Sequence, residues 1–146
     1  MTIRLRYQWL LLSAVVLGFY YPAIFGGYSL VDDLNRLSTL TNIETFDFSL
    51  LFFRGGDYYY RPVTAATFYL DQILWGADAL IMHVENLFLH LLNASLVFMI
   101  TKHLCRQSKQ LLSYLPLLMA FMFALHPVNA EAVCWISGRY DLLATT

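Results

Sequence analysis

The sequence predicts an all-α integral membrane protein, a multi-span helical bundle, and three observations predict it. The first is composition: of 146 residues, 59% are hydrophobic and only 13% are charged, roughly half the charged share of about 25% in soluble domains. The second is a series of apolar runs of spanning length. The third is an uneven distribution of Lys and Arg around those runs.

A bilayer-spanning helix needs about 20 mostly apolar residues, fewer where interfacial residues flank it. The first run, within residues 8–25, carries no charge and follows Arg4 and Arg6. The second, about 84–101, is interrupted by Glu85, Asn86, His90, Asn93 and Ser95. The third, 111–125, has Ser113, Tyr114 and Pro116 near its start, and a fourth opens at about Val133. Residues 1–25 also resemble a signal peptide. The long apolar core, the aromatics Phe19, Tyr20 and Tyr21 at its end and the lack of a small-x-small site favour an uncleaved span.

Positive loops resist translocation and so fix orientation. Arg4 and Arg6 precede the first span, and Lys102, Arg106 and Lys109 fill the turn between the second and third. Both clusters fall on one side, which the rule makes cytoplasmic. The loop 26–82 is then external, and in it Asp32, Asp33, Glu44, Asp47, Asp57, Asp71 and Asp78 outnumber Arg36, Arg54 and Arg61. No basic patch is available for nucleic acid. Cys105 and Cys134 are expected on opposite sides, unable to pair and without metal-ligand spacing.

Within the external loop, Gly26-Gly27 breaks the first helix. Phe46, Phe48 and Leu50 to Phe53 are too few to span and suit an interfacial segment, and Tyr58 to Tyr60 suit the headgroup level. Pro62 fits a first helical turn, with an amphipathic helix over Val63 to Trp75 whose apolar side carries Phe68, Ile73, Leu74 and Trp75, closed by Gly76. The loop therefore reads as short helices held on the bilayer surface.

Four groups of residues have chemical potential. Asp32-Asp33 lies just past the first span, where a carboxylate can serve as a general base toward a hydroxyl; capping a helix from Leu34 is the plainer use. His83, Asn86, His90 and Asn93 recur on one helical face. Such an intramembrane stripe faces other helices or a wet cavity, so His83 and Asn86 are candidate ligand contacts and interhelical hydrogen bonding is the alternative. Arg61 puts a guanidinium beside aromatics at headgroup level, a geometry suited to phosphate, though snorkelling also explains it. His126, Glu131, Arg139 and Asp141 fall within one short apolar stretch after the third span, more ionisable groups than solvation alone explains.

The order of Val31-Asp32-Asp33, Tyr60-Arg61-Pro62, the segment His83 to Ala94 and the segment Phe123 to Ala144 resembles the membrane glycosyltransferases that carry tetratricopeptide repeats. The chain is similar to the dolichyl-phosphate-mannose protein O-mannosyltransferases of that kind. The resemblance runs from about Leu30 to Ala144, and its last segment is the most specific.

The resemblance implies a GT-C-like bundle with the active site at the external face. It implies transfer of a sugar, mannose or another hexose, from a polyprenyl- or dolichyl-phosphate donor to a Ser or Thr hydroxyl of an acceptor protein. Asp32 or Asp33 would be the base. Arg61, His126 and Arg139 would contact donor phosphate, with His83, Asn86, Glu131 and Asp141 nearby. No cofactor is demanded, and a divalent metal is compatible with the acidic residues but required by no ligand spacing. The membrane is either a bacterial inner membrane or the endoplasmic reticulum. Family members continue through further spans and a repeat array, so this chain is expected to be an N-terminal fragment, inactive alone. A non-catalytic membrane protein, such as a transporter fragment or assembly factor, is the competing class, and a soluble enzyme a distant third.

Overall fold

The computed structural model describes residues 2–29, 33, 61–107 and 114–146. Among these the structure is helices and short connections, with no strand. The helices are α1 (Thr2–Tyr20), α2 (Pro62–Trp75), α3 (Ala79–Gln107), α4 (Leu115–Ala124), α5 (Val128–Cys134) and α6 (Arg139–Thr145), with 3-10 turns at Tyr21–Phe25 and Ile136–Gly138. The expected interfacial segment around Phe46 to Tyr60 lies outside the described residues, as does Asp32.

Helix α1 tightens into its 3-10 turn where Pro22, which has no N–H to continue the α ladder, enters. Leu5–Phe25 and Ala79–Arg106 are each long and apolar enough to cross a membrane. The second of these, 28 residues, is about 42 Å long at 1.5 Å per residue. That exceeds the about 30 Å hydrocarbon layer, so its ends reach the interfaces.

Helices α1 and α3 run antiparallel. Trp9 meets Phe98 edge-on at 5.1 Å near one end and Tyr20 meets His90 at 5.1 Å further along. Leu12, Val16, Leu87, Phe98, Val133 and Leu142 form the core. Ala94, Ala120 and Ala124 are fully buried beside them, small side chains that let helices approach closely where lipid provides no hydrophobic drive.

The third apolar run, expected over 111–125, is helical as α4, and the chain bends just past its end. Helix α4 ends at Ala124 and bends by 64° into α5. The cause is Pro127, which removes an N–H and bars the preceding residue from helical geometry. The freed carbonyls are then claimed by side chains. Asn129 Nδ2 donates to Phe123 O at 2.6 Å, and Ala124 O receives both the Tyr20 hydroxyl at 3.0 Å and His90 Nε2 at 2.9 Å.

Beyond Trp135 the chain turns back. Asn86 bonds Trp135 O and Asn93 bonds Leu142 O, so the two contacts keep a constant offset in sequence. A constant offset means that α6 runs parallel to α3, back down beside it.

Helix α2 begins at Pro62 and closes at Gly76, whose φ of 63° is the left-handed cap a glycine adopts without strain. The sequence predicts these bounds, and the structure divides the helix's apolar residues between two faces. Phe68 is buried, whereas Ile73, Leu74 and Trp75 are exposed, and the inward side also carries Thr64 and Asp71. The reason is electrostatic: Asp71 must face inward to pair with Arg139.

Candidate functional site

Asp33 sits at the junction of the first loop with the α5–α6 corner and is 2% exposed. Its Oδ1 accepts from the backbone N–H of Ser137 at 2.9 Å and from the Ser137 hydroxyl, and its Oδ2 accepts from Ser29 N–H at 2.7 Å. These donors satisfy a buried carboxylate that would otherwise be costly. The bonds to Ser137 tie the first loop to the α5–α6 corner, and the bond from Ser29 closes the loop on itself four residues back.

Two residues on, Arg139 is 1% exposed and is the hub of a buried network. It donates through Nε to Asn86 Oδ1 at 3.1 Å, through one terminal nitrogen to Asp71 Oδ2, and through the other to Met82 O at 3.3 Å and Glu85 Oε2 at 2.8 Å. Its guanidinium lies over the Phe68 ring, 4.7 Å from the centroid. A planar fork with several donors in fixed directions can bind two carboxylates and an amide at once, which a lysine cannot. Arg139 thereby joins α2, α3 and α6. Among the described residues its guanidinium is enclosed and donates to protein groups through all three nitrogens.

The polar stripe on α3 is likewise internal. Asn86 Nδ2 donates to Trp135 O at 2.7 Å and Ile136 O at 3.3 Å while its Oδ1 serves Arg139. Asn93 Nδ2 donates to Leu142 O at 2.8 Å. His83, 1% exposed, has Nε2 at 3.5 Å from Gly27 O, and its Nδ1 has no partner among the described residues. Asn86 therefore holds helices together, the alternative the sequence left open, and His83 packs against the end of the first span. Such amides suit this task because they satisfy carbonyls that the 3-10 turn and helix ends leave open.

Arg61 takes a different position. It is exposed at the N-cap of α2, with its guanidinium carbon 4.5 Å from the Tyr140 ring centroid. Arg61 and Thr64 on one side and Tyr140, Asp141 and Leu143 on the other line a cleft of about 350 Å³. The structure therefore brings Arg61 and Asp141 to one cleft. His126 and Glu131 are exposed at the α4–α5 corner and on α5; His126 Nδ1 accepts from Val128 N–H at 3.3 Å, a local cap. Neither joins the network around Arg139 among the described residues.

Sequence reasoning passed over Ser137, Asp71 and Ser29. Ser137 stood within the stretch singled out for its charges, and its signal was placement directly before Gly138-Arg139. Gly138 has a specific reason to be glycine: a Cβ there would lie 2.3 Å from Ala132 O. That close approach presses the Ser137 turn onto α5. Glu85 pairs with Arg139 of α6. Among the described residues no group of three His, Cys, Asp or Glu converges as a metal site.

No protein-family profile and no solved structure matches the chain. Curated proteins do. The chain is 39% identical to the human protein O-mannosyl-transferase TMTC1 over 85 residues, 58% of this chain and 9% of that protein. It is 34% identical to mouse protein O-mannosyl-transferase TMTC2 over 117 residues, 77% of this chain and 13% of that protein. It is 28% identical to mouse protein O-mannosyl-transferase TMTC3 over 145 residues, 92% of this chain and 15% of that protein. The chain thus spans only about a tenth to a seventh of the length of the relatives it matches. An all-α membrane bundle with this sequence kinship is related to the TMTC protein O-mannosyl-transferases.

Proposed function

We propose that the chain forms part of a glycosyltransferase that moves a hexose, with mannose favoured by the relatives' names, from a polyprenyl- or dolichyl-phosphate donor to a Ser or Thr hydroxyl of a protein acceptor. The reading that best suits the relatives and the charge distribution has the N-terminus in the cytoplasm, Asp32-Asp33 on the luminal side and the protein in the endoplasmic reticulum membrane.

The observation that carries the proposal is the fixing of Asp33 by Ser29 and Ser137 at the edge of the bundle. A buried carboxylate whose oxygens already accept from three donors is well placed to fix its neighbour. Asp32 is then the proton acceptor and Asp33 a positioning residue. In the reaction the acceptor oxygen bonds to the anomeric carbon, its proton passes to Asp32, and the carbon–oxygen bond to phosphate breaks. The lipid phosphate leaves with the electron pair. It already carries charge and needs no strong acid, so a cation suffices for it. Arg61, exposed in its cleft, fits that task best. Asp141 on the same cleft repels phosphate and is better matched to the acceptor.

The test is transfer by the full-length protein in proteoliposomes, comparing polyprenyl-phosphate mannose with a nucleotide sugar on a Ser/Thr-containing acceptor. Transfer from the lipid donor alone supports the proposal. Transfer from the nucleotide sugar alone, or from neither, overturns it. The non-catalytic reading draws on one observation, that Asn86 and Asn93 serve helix packing, and the same experiment decides it.

A further inference from the structure

The end of the bundle opposite Asp33 carries a second concavity. Where α1 crosses the last turns of α3, a cleft of about 310 Å³ opens. Its floor is apolar: Trp9 packed edge-on against Phe98, with Leu5 and Met99 beside them. Its rim is Lys102, His103 and Arg106. Lys102 and Arg106 are one helical turn apart and so lie one above the other on the same side of α3.

The described stretches that meet at this end carry no carboxylate side chain. The sequence has no Asp or Glu from Met1 to Val31 or from Asn86 to Ala130, while Arg4, Arg6, Lys102, Arg106 and Lys109 all fall within those stretches. The charge is therefore available to an outside anion. The floor specifies which kind. A free inorganic anion has no use for Trp9 and Phe98, and Met99 and Leu10 continue the apolar surface outward at 56% and 65% exposure. Helix α3 is long enough to bring its last turn to the headgroup level.

We propose that this cleft binds an anionic glycerophospholipid, its phosphate held by Lys102 and Arg106 and one acyl chain laid against Trp9, Phe98 and Met99. Basic pockets between helices at a membrane surface are matched to such headgroups. The site needs only the α1–α3 pair and is independent of the transferase reading.

The experiment is native mass spectrometry of the full chain released from mixed vesicles of phosphatidylinositol and phosphatidylcholine. The expected result is a roughly tenfold preference for phosphatidylinositol that Lys102→Gln with Arg106→Gln reduces to about onefold. Met99→Trp fills the cleft, keeps every charge and sits at an exposed position, so it tests the cavity itself; it too should abolish the preference. Preference that survives Met99→Trp would assign the effect to diffuse charge and overturn the proposal. So would competition by the chain-free glycerophosphoinositol headgroup as effective as that of the intact lipid, or no preference in the unmodified protein.

Discussion

Ser137 holds Asp33 from two directions, with its backbone N–H and its hydroxyl both donating to the same carboxylate oxygen across 104 residues of sequence. This contact fastens Asp33 of the first loop to the corner where the chain turns back beside α3. Ser137→Ala removes one of the two donors and leaves the other. A hydrogen bond to a charged group contributes about 1.5–3 kcal/mol. Thermal unfolding in detergent should show Ser137→Ala destabilised within that range. In a double-mutant cycle with Asp33→Asn, the two effects should fall short of additivity; full additivity would deny the coupling.

Arg139 is predicted to be a stability residue. Arg139→Leu leaves Asp71, buried, and Glu85 without their cation, at a cost of about 3–5 kcal/mol. Size-exclusion profiles of the detergent-solubilised protein should show loss of the monodisperse species. Arg139→Lys should rescue only in part, since an ammonium cannot reach Asp71, Glu85 and Asn86 together. Wild-type behaviour of Arg139→Leu would show that the network has no structural weight.

Gly138→Ala places a Cβ against Ala132 backbone atoms, at 2.3 Å from the carbonyl oxygen and 2.7 Å from two carbons. Backbone cannot rotate aside, so the Ser137 turn must move. The expected loss is at least about 1–3 kcal/mol, read by thermal unfolding. Gly18→Ala in α1 meets nothing within 4 Å and should be neutral or slightly stabilising. Equal behaviour of the two variants would contradict the close-approach argument.

Tyr28 supplies a pH dependence. Its hydroxyl donates to Ala77 O, at a non-glycine residue held at φ 55°. Burial first, then the carboxylates of Asp78 and Asp33, raise its pKa above the ordinary value of 10.0. Because the folded state holds the proton more tightly, the contribution is fully present below pH about 10 and is lost as pH rises through the raised value. Unfolding scans above that pH should show a steeper loss in the unmodified protein than in Tyr28→Phe. Parallel curves would remove Tyr28 from the account.

Much of the architecture was legible from short-range rules. The Pro62 start and Gly76 close of α2, the first two spans and the one-sided polar stripe of α3 each follow from residue type and period. The 64° bend at Pro127 was signalled by the proline itself, but hydropathy counts apolar residues and is insensitive to direction. The inward facing of α2 was hidden for a different reason. Apolar side chains on a soluble helix seek the core, whereas here lipid competes for Ile73, Leu74 and Trp75, and the buried face is set by Asp71 and its distant partner Arg139. Partnerships across more than fifty residues, such as Asp33 with Ser137 or Asn86 with Arg139, leave no local pattern. The charged stretch after the third span stood out by its residue types alone. It did not separate the enclosed Arg139 from the exposed His126 and Glu131.

The division of labour within the acidic pair is tested most directly by sugar transfer from polyprenyl-phosphate mannose, measured per folded molecule in the full-length protein carrying Asp32→Asn or Asp33→Asn. The account predicts that Asp32→Asn lowers the rate by about two to four orders of magnitude, the scale of a lost general base, with thermal stability unchanged. It predicts that Asp33→Asn lowers stability together with rate and that its pH–rate profile keeps the limb set by Asp32. Unchanged transfer in Asp32→Asn, or a full loss in Asp33→Asn with no change in stability, would contradict it.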